Sequence, residues 1–75
     1  MKDFSRRRIQ ICRVEDEHGR LKHYRLRPYQ GEGIEVFVTL GAIEPIEIKC
    51  SHRVTEETLR SLIATSQRAL KVLRS

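Results

Sequence analysis

The chain predicts an α+β fold: an antiparallel β-meander of three to four strands, in the order β-β-β-β-α, with one C-terminal amphipathic helix packed on one face. Three observations predict it. Short segments rich in β-branched residues recur through the first fifty positions. Turn residues, mostly with glycine, separate those segments. After Thr55 the apolar spacing changes to that of a helix. Seventy-five residues suffice for one small domain over 1–75, and 1–5 carry no pattern and are expected to fray.

Residues 7–15 alternate imperfectly, with Ile9 and Ile11 on one face and Cys12 and Val14 on the other. Asp16-Glu17-His18-Gly19 reads as a hairpin turn, and residues 20–29 as the return strand, which Pro28 places at a strand end or sheet edge. A two-residue turn at His18-Gly19 pairs Glu17 with Arg20 and Glu15 with Lys22, opposite charges in both cases. It also sets Ile11 across from Leu26 and Arg13 across from Tyr24. Ile9, Ile11, Tyr24 and Leu26 then share the core face, and Arg8, Gln10, Cys12, Val14, Leu21, His23, Arg25 and Arg27 the other. The competing arrangement is a three-residue loop with Gly19 as a bulge, which joins Cys12 and Val14 to Tyr24 and Leu26.

Gln30-Gly31-Glu32-Gly33 predicts a turn. Residues 34–40 form the strongest strand pattern, with Ile34, Val36, Val38 and Leu40 on one face. Phe37 on the other face indicates a central position. Residues 46–50 alternate cleanly as a short half-buried strand; the alternative leaves them irregular beside a three-stranded sheet. Thr55 is a predicted N-cap, with Glu56 and Glu57 in the first turn, where the helix dipole favours anions. Leu59, Leu62, Ile63, Ser66, Ala69, Leu70 and Leu73 form the expected buried stripe.

Charge is unevenly distributed. The net charge of +5 comes from 15 Lys and Arg against 10 Asp and Glu. Residues 1–29 hold nine cations and four anions, residues 30–54 two and four, and residues 55–75 four and two. Seven of the nine N-terminal cations are arginine, whose planar fork suits phosphate. In the favoured register Arg8, His23, Arg25 and Arg27 share one sheet face, and Arg6 extends the alternation if the strand begins early. These five are the candidate nucleic-acid-binding residues, since a basic two-stranded ribbon can enter a major groove or follow a phosphate backbone. The competing explanation is a charged solvent face that keeps the sheet soluble. Three-stranded-sheet-plus-helix DNA-binding modules use such a surface, but no signature motif links this chain to them, and the likeness is one of architecture. With Tyr24 assigned to the core, Tyr29 is left as the exposed ring, so duplex phosphate is favoured over stacking on single strands.

Other chemistry finds less support. His23 among arginines, with Arg25, Arg27 and Tyr29, has the ingredients of a ribonuclease base, but no spacing selects that role. His18 is expected to be solvated in its turn. Cys50-x-His52, even joined by Cys12, supplies too few zinc ligands, so neither metal nor catalytic residues are assigned. Gly31-Glu32-Gly33 lacks the features of a phosphate loop. Cys12 and Cys50 read as buried reduced thiols, which with no signal-like segment points to the cytoplasm. No apolar run is long enough to span a membrane. The expectation is a small cytoplasmic nucleic-acid-binding or accessory protein, not an enzyme, without cofactor, whose partner is DNA or RNA phosphate. The alternative is a protein-interaction module or homodimer without a nucleic-acid role, using a sheet edge or the helix, since apolar surface on so small a domain often ends in a dimer interface.

Overall fold

A computed structural model describes residues 8–29, 33–51 and 53–75. Four strands, β1 (Ile9–Glu15), β2 (Leu21–Pro28), β3 (Ile34–Val38) and β4 (Ile46–Cys50), precede one helix, α1 (Glu56–Arg74). The strands form an antiparallel meander in the order β1-β2-β3-β4, and α1 packs across one face. β4 pairs with β3 over its whole length, from Val38↔Ile46 to Ile34↔Cys50, so residues 46–50 belong to the sheet. The third segment ends at Val38 rather than Leu40. The chain turns there, with the Ala42 N–H donating to the Thr39 carbonyl and Gly41 at φ +83°. No helix among the described residues is long and apolar enough to cross a membrane.

The first hairpin combines features of both predicted arrangements. Ile11↔Leu26 and Arg13↔Tyr24 pair as the favoured register requires. The turn itself is the three-residue alternative. Gly19 adopts φ +76°, its N–H donates to the Asp16 carbonyl at 3.1 Å, and the Asp16 N–H donates to the Arg20 carbonyl at 2.8 Å. The Asp16 carboxylate caps the loop by accepting from the N–H groups of His18 and Arg20 at 2.8 and 3.0 Å. A bulge reconciles turn and register. Glu15 pairs with Leu21 and Val14 with His23, leaving Lys22 as the extra residue. The expected pairs Glu17–Arg20 and Glu15–Lys22 therefore do not form. The left-handed conformation at Gly19 is available at no steric cost, and the bulge then restores the alternation that keeps Tyr24 and Leu26 facing inward.

The core lies between the sheet and α1. Leu26, Ile34, Val36, Val38, Ala64 and Ala69 are buried, and Ile9, Tyr24, Ile46, Val72 and Leu73 pack around the cluster. The helix starts as its sequence requires. Thr55 is extended and its Oγ1 accepts from the Thr58 N–H at 3.2 Å, satisfying one of the N-terminal donors. Its buried face corrects the expectation. Ser61, Ala64, Thr65 and Ala69 lie against the sheet at 0–1% exposure, whereas Leu59 and Leu70 remain 46% and 44% exposed. Leu62, Ile63, Ser66 and Leu73 are half-buried. The sheet already supplies the bulk through Leu26, Ile34, Val36 and Val38, so small helix residues allow close approach without overfilling the layer. Thr65 satisfies its hydroxyl by donating to the Ser61 carbonyl at 2.8 Å.

A single helix over the centre leaves the sheet's margins uncovered. Ile11 on β1 faces the helix side, as expected, but is 37% exposed, and Ile48 on β4 is 50% exposed. Cys50 is likewise exposed rather than buried, and Cys12 is half-buried. The two cysteines occupy opposite edge strands. Three interstrand spacings, about 14 Å, separate those strands, which rules out a bridge or a shared metal site between them.

Candidate nucleic-acid interface on the open sheet face

The face of the sheet away from α1 collects the odd charge of the hairpin. Strand alternation places Gln10, Cys12 and Val14 of β1 on it, with His23, Arg25 and Arg27 of β2 directly opposite them. Glu35 and Phe37 of β3 and Glu47 and Lys49 of β4 complete the surface. Arg8 continues the β1 alternation, and its carbonyl accepts from the Tyr29 N–H at 3.1 Å, which carries the pairing one step past the strand ends. Four of the five sequence-predicted residues, Arg8, His23, Arg25 and Arg27, thus share one face. Arg6 lies outside the described residues. Arg13 points to the helix side with Tyr24. Its Nε donates to the Glu15 carboxylate at 3.2 Å, which holds the guanidinium pKa above the usual arginine value.

The four are not equivalent. Arg25 sits mid-sheet between Cys12 and Phe37, and its buried Nε has no hydrogen-bond partner among the described residues. Glu35 lies 3.8 Å from that nitrogen and neutralises part of its charge. His23 packs edge-on against the Phe37 ring, with centroids 5.4 Å apart and planes at 79°. The Lys49 ammonium approaches the same ring at 5.3 Å. His23, Arg25 and Phe37 therefore form a packed patch on this side of the sheet. His23 and Tyr29 are six positions apart along β2 and the residue that follows it, about 20 Å, so they do not converge as a base and its acidic partner.

The other end of the face is more open. Arg8 is exposed, and its guanidinium carbon stands 5.7 Å from the centre of the Tyr29 ring, itself 64% exposed. Arg27 is oriented by Gln10, whose Oε1 accepts from Nη2 at 3.4 Å. Lys49, two strands away on β4, is exposed. Between them lies a shallow depression of about 800 Å³, lined among others by Gln10, Arg27, Tyr29, Glu35, Lys49 and Ser51. Cations from two strands, Arg27 and Lys49, and one aromatic ring thus border one concave surface, with Glu35 as its carboxylate and Arg8 over the Tyr29 ring. Sequence reasoning confined to the hairpin missed Lys49. The alternation of Ile46-Glu47-Ile48-Lys49 carried its facing, but only the strand order places it beside Arg27. Among the described residues, no three His, Cys, Asp or Glu side chains gather to hold a metal.

Compared with family models, curated proteins and solved structures, the chain matches none.

Proposed function

We propose that this protein binds nucleic acid through the Arg8–Arg27–Lys49 end of the open sheet face. The observation that carries the reading is the cluster itself: Arg27 and Lys49 line one depression together with the exposed Tyr29 ring, and the Arg8 guanidinium stands over that ring. Arg27 and Lys49 stand two strands apart, about 10 Å, a spacing that allows separate phosphate contacts along a backbone. Guanidinium groups bind phosphate through paired hydrogen bonds, and an ammonium does so as a point charge. Tyr29 offers a face on which an unpaired base can stack, worth about 1–3 kcal/mol in known single-strand sites. Arg25 contributes less than the hairpin sequence suggests, because Glu35 competes for it. His23 serves the packing of Phe37 rather than the ligand. Fluorescence anisotropy with labelled duplex and single-stranded DNA and RNA tests the reading. Affinity should fall steeply with salt and weaken when Arg27 and Lys49 are both replaced by alanine. No binding at low salt, in a folded sample, refutes it.

A further inference from the structure

We propose that the uncovered leucine stripe of α1 is a homodimer seam, on which the helix of a second copy of this chain docks antiparallel about a two-fold axis near Ser66. This surface lies on the helix side, away from the open sheet face, so it is independent of the polyanion reading. The first observation is the inversion of the expected packing. The helix presents Ser61, Ala64, Thr65 and Ala69 to its own sheet and leaves Leu59 and Leu70 almost half exposed. Leu59 and Leu70, eleven positions apart on one face, are thus left for a partner, with the half-buried Ile63 between them.

The spacing points to a helix as the partner. The exposed Leu59 and Leu70 and the half-buried Ile63, Ser66 and Leu73, the last with one side against the core, recur at alternating intervals of four and three along α1. That is the seam repeat of two helices packed knobs into holes. Arg60, Gln67 and Arg74 bound the stripe on its solvent side, and the intramolecular layer bounds it on the other. Ser66 at the midpoint is small enough for the two axes to approach closely.

Charge sets the direction. The first turn of α1 is acidic, through Glu56 and Glu57, and the last is basic, through Lys71 and Arg74. With Leu59 set against the partner's Leu73, Ile63 meets Leu70 and Ser66 meets its own copy. Glu56, one turn before Leu59, then faces Arg74 of the other copy. The two-fold repeats the contact, and opposed helix dipoles favour the same arrangement. A parallel pairing would instead bring Glu56 to Glu56 and Arg74 to Arg74. Within one chain Glu56 already accepts from Arg60 at 2.6 Å, and a carboxylate has capacity for a second donor.

Sedimentation velocity of the intact chain over a range of concentrations should show reversible association to twice the monomer mass. Leu70→Glu should leave a monomer with unchanged helical circular dichroism. The exposed charge positions carry the test independently should that variant unfold. Glu56→Arg and Arg74→Glu should each weaken association at least about fivefold, through two lost ion pairs. The double variant should recover it. The intrahelical contact with Arg60 is absent from both Glu56→Arg and the double variant, so recovery cannot come from it. A chain that stays monomeric at every concentration, or a dimer indifferent to Leu70→Glu in a folded sample, overturns the seam. A double variant no tighter than the singles overturns the antiparallel direction.

Discussion

Replacing Arg27 with alanine measures how many phosphates the open face engages. Arg27 and Lys49 line the depression and Arg8 stands over the Tyr29 ring that also lines it, while Arg25 is drawn to Glu35 at 3.8 Å. Three phosphate contacts on a duplex release counterions with a log–log salt slope near −2.7, from about −0.9 per contact. Between roughly 50 and 200 mM salt the association constant should then fall about 40-fold. On a single strand, at about −0.7 per contact, the fall is nearer 18-fold, so the two substrates are distinguishable. Arg27→Ala leaves two contacts, and the duplex loss shrinks to about 12-fold over the same range. The assay is anisotropy of a labelled oligonucleotide titrated at four or more salt concentrations, with the fold checked by circular dichroism. Among the described residues the Arg27 side chain bonds Gln10 at 3.4 Å, so the substitution should leave the sheet intact. A slope in the parent chain near zero, or one that Arg27→Ala does not change, refutes the assignment of these cations to phosphate.

Glu35→Gln removes the carboxylate beside Arg25 and within the depression, so it should tighten binding and steepen the salt slope by about one contact, read in the same titration. Gly19→Ala meets no atom within 4 Å but must adopt φ +76°, so it should lower stability by about 1 kcal/mol in urea unfolding, with Gly19→Asn costing less. Thr55→Ala deletes the hydroxyl that accepts from the Thr58 N–H and should also cost about 1 kcal/mol, with the effect confined to stability and nucleic-acid affinity unchanged.

Local chemistry made much of this architecture legible. Alternation identified each of the four strands, because one buried face imposes a period of two on the residues that line it. Phe37 on the second face marked β3 as central, and β3 is indeed flanked on both sides. Thr55 marked the helix start because a hydroxyl there satisfies a donor that the helix cannot. The sheet face of Arg8, His23, Arg25 and Arg27 followed from the Ile11↔Leu26 register, which the hydrophobic pattern specifies well away from the turn.

Other features depend on distance in space rather than along the chain. Opposite-charge pairing near the turn suggested a two-residue loop, yet Gly19 and the Asp16 carboxylate make a three-residue one, and a bulge at Lys22 absorbs the difference. Glu35 is remote from Arg25 in sequence, so its partial neutralisation of that arginine was invisible until β3 lay beside β2. Lys49 joined Arg27 only through the four-strand order.

The helix shows the division most clearly. The sequence by itself determined that residues 56–74 form an amphipathic helix, because periodicity and caps act over a few bonds. It could not decide which side of that helix meets the sheet. That choice belongs to the packing of Leu26, Val36 and Val38, whose bulk admits the small side chains of Ser61, Thr65 and Ala69 and turns Leu59 and Leu70 outward. Volume in a close-packed layer is shared among residues distant in sequence, so only the assembled tertiary structure can apportion it.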